Sequence, residues 1–263
     1  MITAPPLHLA AVYRRDVGAS LARIWENVFD WEHLAHLHDG SFATCGLIDR
    51  GAWGWRVALA TMTKPEDLQV IELRADRAAG RYVSTTLEGA GAGTEIRVAL
   101  AARDPQRTGV VVEFHVPEAR SDRLAAIGAA YSAAYARLWD EDEAMMQRRE
   151  RMLRRPNVDA TVVPVDLGSE DEVRAALPLG FAFAGRPFRL IDLAGTLIAH
   201  SSVCPHWLGP LDDAPVADGT VRCPWHGYRF DVGTGVCVSH NAPMLARPPV
   251  IHIEDGSVFA RAS

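Results

Sequence analysis

The chain is poor in the features that would settle its setting outright. It has four cysteines in 263 residues, too few for a disulfide scaffold. Two of them stand beside histidines at metal-ligand spacing, which fits a reducing cytoplasm. No run is long and apolar enough to span a bilayer. The opening Met-Ile-Thr-Ala-Pro-Pro is neither basic nor apolar, so no signal peptide is expected and the expected location is cytoplasmic. There is no surplus of positive charge: the net charge of -6 and a pI near 5.9 argue against nucleic acid or an anionic membrane as partner. Internal repeats and low-complexity segments are absent. What is present, 48% hydrophobic and 23% charged residues, is an ordinary globular composition, and the length allows one large domain or two small ones with their own cores.

Alternation from about Leu7 to Val17 predicts a strand, and Ser20 can cap a helix running through Leu21, Ile24 and Trp25. Segments 53–63, 68–74, 81–87, 94–101 and 109–116 read as strands bounded by turn-forming residues. A long helix is predicted from Ser121 to Leu153, with Leu124, Ile127, Tyr131, Tyr135 and Leu138 at helical spacing. Strand, helix, a run of antiparallel strands and one long helix make an α+β pattern. It resembles the helix-grip (START-like) domains that enclose apolar ligands between sheet and helix. Pro156 and Asn157 break the long helix and place the expected boundary between a domain at 1–156 and another at 160–263. The second part, with short strands, frequent Gly and Pro turns and little helix beyond 170–176, reads as a small all-β domain.

That domain carries Cys204-Pro-His206 and, after sixteen residues, Cys223-Pro-Trp-His226. Two thiolates and two imidazoles suit a tetrahedral zinc site as well as an iron–sulfur cluster. Both loops closely resemble the cluster-binding loops of Rieske proteins, and Phe230 to Val238 resembles the strand-turn-strand that follows the second loop in oxygenase-type members. The resemblance implies a [2Fe–2S] cluster with Cys204 and Cys223 on one iron and His206 and His226 on the other. Gly209 falls one position later in the first loop than is commonest. Respiratory-chain members carry two further cysteines and a Ser that donates to a bridging sulfur; here those positions read Gly209, Trp225 and Tyr228. Fewer donors to the sulfurs imply a potential at the low end of the Rieske range. Cys45 and Cys237 read as ordinary thiols, and His240 as a surface residue near the cluster.

The N-terminal part has its own concentration of histidines: Asn27, Asp30, His33, His36 and His38 lie within twelve residues. The string matches N-x-x-D-x-x-H-x-x-x-x-H and resembles the iron motif of Rieske non-haem iron oxygenases, whose catalytic domain is itself a helix-grip fold. Facial ligation of Fe(II) needs two neutral imidazoles and one carboxylate, with positions left open for O₂. The resemblance implies His33 and His38 as two ligands and an Asp of the long helix as the third. Asp142 fits that place best, since Glu141 precedes it and Gln147 follows; Asp140 is the alternative, and the acidic run can also be a solvated helix face. Asp30 is implied to orient an imidazole and relay the electron. His36 is not expected to ligate, and His115 is expected to be exposed. The arginines at 148, 149, 151, 154 and 155 suit a helix C-terminus and offer a docking face for an acidic electron donor.

The resemblance therefore implies an oxygenase that takes electrons from an external reductase or ferredoxin and hydroxylates or demethylates a small apolar substrate, with ring dihydroxylation by a dioxygenase as the alternative. The expected assembly is a homotrimer in which each cluster serves a neighbour's iron. The order of domains is the reverse of the family's usual one. Two rivals stay open: a Rieske electron-transfer protein fused to an iron-free ligand-binding module, and a fusion to a non-redox cyclase. Trp53, Trp55 and Phe114 are candidates for the cavity wall.

Overall fold

The structure is a computed structural model that describes residues 6–155 and 163–262. Pro156 and Asn157, and with them the predicted boundary, lie outside the described residues. The chain divides into two compact units, Met1–Gln147 and Arg148–Ser263.

The first unit runs β1 (His8–Val17), α1 (Leu21–Phe29), α2 (Leu34–Leu37), β2 (Phe42–Gly51), β3 (Gly54–Thr61), β4 (Lys64–Asp76), β5 (Arg81–Glu88), β6 (Glu95–Asp104), β7 (Arg107–Val116) and α3 (Ser121–Leu153), the end of α3 falling in the second unit. The strands form one antiparallel sheet in the order β1-β7-β6-β5-β4-β3-β2. This is the α+β helix-grip fold. Alternation decides which face is covered: Val110, Val112, Phe114 and Val116 of β7 are all buried, as period-two patterning demands. The core joins them to Val57 and Leu59 of β3, Val98 of β6, Ile24 and Trp25 of α1, and Trp139 and Met146 of α3. Ser20 caps α1 by accepting from the Arg23 N–H, as its sequence position predicts. Near its start α3 comes close to β1, because Gly128 lacks the Cβ that would sit 2.3 Å from the Ala10 carbonyl oxygen.

Two elements were not predicted. β2 is an edge strand whose Leu47 and Ile48 are exposed, so it carries no clean alternation. α2 has four residues, too short for a helical period.

In the second unit, β8 (Val165–Ser169) leads into α4 (Glu170–Ala175), which a capping box of Ser169 and Glu172 starts. β9 (Leu179–Phe183), β10 (Arg186–Leu193) and β11 (Thr196–Ser201) form one antiparallel sheet. β12 (Val216–Ala217), β13 (Thr220–Arg222) and β14 (Arg229–Asp231) form a second. β15 (Val250–Glu254) and β16 (Ser257–Arg261) pair with β8 in a third. The small all-β reading is the observed architecture.

Candidate metal centres

In the first unit, α1 stops at Asp30, whose N–H donates to the Asn27 carbonyl. A turn follows, and His33 and His38 then flank the single turn of α2. That compact arrangement brings their ring centroids to 5.1 Å. α3 delivers Asp142 to the same point. Nε2 of His33 lies 3.4 Å, and Nε2 of His38 3.2 Å, from Asp142 Oδ1. Ligand atoms of all three residues lie within 4.8 Å of one another. The three are 4%, 1% and 8% exposed.

Asp142 Oδ1 is buried and accepts no hydrogen bond. A carboxylate oxygen held this way in protein costs free energy unless something electropositive meets it. Two imidazole nitrogens and one bare carboxylate oxygen, converging and dry, are a donor set that fits a divalent cation of borderline character. The other ring nitrogens each face a carboxylate, with a hydrogen bond only at His38, since His33 Nδ1 makes none. His33 Nδ1 lies 3.3 Å from Asp30 Oδ2, and His38 Nδ1 lies 2.5 Å from Glu141 Oε2. A carboxylate on Nδ1 fixes the tautomer that presents Nε2 forward. Burial pulls the His33 pKa down, but the Asp30 and Asp142 carboxylates together more than offset this and the net shift is upward.

Asp140, the alternative carboxylate, is 67% exposed on its side chain and pairs with Arg15 at 2.5 Å. His36 lies on α2 outside the convergence. His115 is a correction: its side chain is only 14% exposed and sits 3.0 Å from Glu113, on a strand flanked on both sides, opposite Leu9 of β1 and Glu95 of β6. Cys45 is an ordinary thiol, pushed up to about 12 by burial. The role of Glu141 was missed at the sequence level, since its contact with His38 is made across 103 residues.

A cavity of about 470 Å³ opens beside these residues. Asn27, Asp30, His33, His38 and Asp142 form its polar end, and Trp55, Leu59, Ile71, Leu73, Tyr82 and Tyr135 are among its walls. Asn27 is buried and its Oδ1 accepts no hydrogen bond. Of the suggested wall residues only Trp55 lines the cavity. Trp53 falls in the β2–β3 turn under Arg74, and Phe114 is fully buried behind Tyr131 and Tyr135.

In the second unit, the two cysteine loops share one backbone pattern. The Leu208 N–H donates to the Cys204 carbonyl and the Cys204 N–H to that of Gly209, both at 3.0 Å. Likewise Gly227 donates to Cys223 at 3.0 Å and Cys223 to Tyr228 at 2.8 Å. The left-handed position is Gly227 (φ 71) in one loop and Leu208 (φ 64) in the other. Cys204, Cys223 and His226 are buried, and the His206 and His226 ring centroids lie 4.6 Å apart. The two thiols share a proton: a hydrogen bond from Cys204 holds the Cys223 pKa down, helped by the Trp225 and His226 N–H groups and Arg148. Cys204, the other member of the pair, is pushed up by the same contact and by burial. Two cysteines and two histidines from paired loops thus fit a [2Fe–2S] cluster. His206 stacks on Tyr228 at 4.3 Å, and Tyr228 on the exposed His240 at 4.2 Å. Within this unit Arg148 pairs with Asp212 at 2.8 Å, and Arg149 sits 4.5 Å over the Trp207 ring.

Comparison with known proteins agrees with the second centre. Residues 163–249 match the family model of the Rieske [2Fe-2S] domain, so this part of the chain is a Rieske domain and supports Rieske-type electron transfer. The oxygenase component of dicamba O-demethylase from Stenotrophomonas maltophilia is 34% identical over 85 residues, 32% of this chain and 25% of that protein. The ferredoxin component of the p-cumate 2,3-dioxygenase system from Pseudomonas putida is 28% identical over 95 residues, 36% of this chain and 76% of that protein. The chain thus spans about a quarter of the first relative. Among solved structures, the ferredoxin of carbazole 1,9a-dioxygenase from Nocardioides aromaticivorans IC177 is similar over 38% of this chain and 99% of that one, at 21% identity and a TM-score of 0.34. The Zhui aromatase/cyclase from Streptomyces sp. R1128 is similar over 56% of this chain and 98% of that one, at 14% identity and a TM-score of 0.45. No helix among the described residues is long and apolar enough to cross a membrane.

Proposed function

We propose that the protein is a Rieske-type non-haem iron oxygenase that hydroxylates or demethylates a small apolar organic substrate, with electrons supplied by an external ferredoxin or reductase. The observation that carries the reading is the convergence of His33, His38 and the bare Asp142 Oδ1 at the polar end of an apolar cavity. Bound by these three residues, Fe(II) supplies the open coordination positions at which O₂ is activated. The chain's own part is to keep both imidazoles facing inward through Asp30 and Glu141, and to exclude water with aromatic and aliphatic walls. Asn27 offers a further buried acceptor there.

Anaerobically reconstituted full-length protein is expected to hold three irons and two acid-labile sulfides per chain. Two irons per two sulfides, with a normal Rieske signal, would favour the electron-transfer fusion instead.

The same reading includes a homotrimer in which Asp30 links a neighbour's His206 or His226 to His33 or His38. Sedimentation is expected to give three chains per particle. Asp30→Asn is expected to slow reduction of the mononuclear site with both metal sites still filled. A fully active monomer would mean that one chain serves itself.

A further inference from the structure

We propose that Tyr82 and Tyr135 form a phenol pair that selects, among neutral aromatic molecules of two or three rings, those carrying a carbonyl oxygen, and holds that oxygen beside Asp142. The proposal rests on the reading of this cavity as the substrate site.

Tyr82 comes from β5 and Tyr135 from α3, so the pair spans the cavity from sheet to helix. Tyr82 is 8% exposed. Among the described residues neither phenol hydroxyl has a hydrogen-bond partner, and neither is sealed within packed atoms, so both open onto the cavity they line. Tyr131, on the same helix, is different: Thr94 lies beside it and pulls its pKa down against the upward push of burial. Burial, with Tyr135 and Asp142 nearby, pushes Tyr82 well above the ordinary tyrosine range. Burial, Tyr131 and Asp142 push Tyr135 up as well. Both therefore remain donors at any physiological pH.

Two donors facing an apolar space call for an acceptor from the ligand, because a site built to donate rejects an analogue that leaves its donors unpaired. The ligand's charge follows from the same lining. Among the described lining residues Asp30 and Asp142 are the acids and Arg137, itself exposed, is the one arginine or lysine. In the metal-free protein an anion placed near the phenols would face the Asp142 carboxylate with only the exposed Arg137 to offset it. Ring character follows from the flanking Phe42, Trp55 and Trp139, which stack on flat molecules. The volume of about 470 Å³ lies within the range of about 300–1,000 Å³ of small-molecule sites.

The test is calorimetric titration of the full chain, with metal chelated at the mononuclear site, by 1-tetralone, tetralin and tetralin-1-carboxylate. 1-Tetralone is expected to bind at least tenfold more tightly than tetralin. In the Y82F/Y135F variant that preference should fall below threefold with tetralin bound at least as tightly as before, since no donor is then left unpaired, and that binding also reports an intact fold. If the double variant no longer binds tetralin, each single variant must lower the preference at least threefold. Equal affinities for the ketone and the hydrocarbon, no binding of either, tighter binding of the carboxylate, or a preference that survives both substitutions overturns the proposal. Because metal is absent from the titration, its failure is separate from failure of the iron count. A three-iron protein without ketone preference keeps the oxygenase reading and loses this one.

Discussion

Asp142→Ala is expected to remove one iron per chain and to lower turnover by at least a thousandfold, while the EPR signal of the Rieske cluster stays unchanged. The same substitution should leave the metal-free protein as stable as before, or more stable by about 1 kcal/mol. Buried polar groups with no partner cost roughly 1–3 kcal/mol, and Asp142 Oδ1 is such a group at 8% exposure. In the proposed centre that position serves a ligand, and the fold bears the cost until a cation arrives. Glu141→Gln should act more gently. It leaves all three donors in place but weakens the hold on His38 Nδ1, and loss of such a backing carboxylate lowers metal affinity by about 10–100-fold. Metal titration followed by thermal unfolding with and without metal separates the cases. A metal-free Asp142→Ala protein destabilised by more than about 2 kcal/mol would assign Asp142 a structural role instead, since that is the scale of losing a satisfied buried group.

The parts of the molecule legible in the sequence are those where one local signal decides. The long helix was predicted with its observed limits, Ser121 to Leu153, because its apolar positions recur over many turns. β7 was legible because Val110, Val112, Phe114 and Val116 recur at every second position, with Val111 the one apolar residue off that face. The choice of Asp142 over Asp140 was framed by spacing, and the structure separates the two by burial: one faces the histidines and the other a solvent-exposed Arg15 pair. What stayed hidden depends on contacts between distant segments. Glu141 meets His38 only once α3 is laid on the sheet. Sidedness decided that Trp55 lines the cavity while Trp53, two residues earlier, does not, because a turn intervenes. The phenol pair needs β5 and α3 to face each other, which no periodicity announces. The late glycine of the first Rieske loop looked like a departure in sequence and proves to be a packing requirement.

That glycine makes a sharp prediction: Gly209→Ala should abolish cluster assembly. Its backbone is not left-handed; the residue in the left-handed position is Leu208. Gly209 is there for close approach. A Cβ at 209 would lie 2.8 Å from Cys223 Sγ and 3.1 Å from two atoms of the Trp225 ring. Ordinarily a side-chain atom can move aside, and overpacking costs about 1–3 kcal/mol. Here the crowded atom is a ligand sulfur, and a shift of a few tenths of an ångström moves it off its iron. Assembled cluster in Gly209→Ala, read from the visible and EPR signals of the reduced protein, should fall at least tenfold. The neighbouring substitution makes the control. Leu208→Gly relieves a left-handed conformation that costs about 1–2 kcal/mol for a residue with a Cβ. It also removes a half-buried side chain and adds backbone freedom, together worth a similar amount. Leu208→Gly should therefore keep its full cluster and change stability by less than about 1 kcal/mol. If Gly209→Ala assembles normally, or if both variants lose the cluster alike, the contact with Cys223 Sγ is not what keeps position 209 bare.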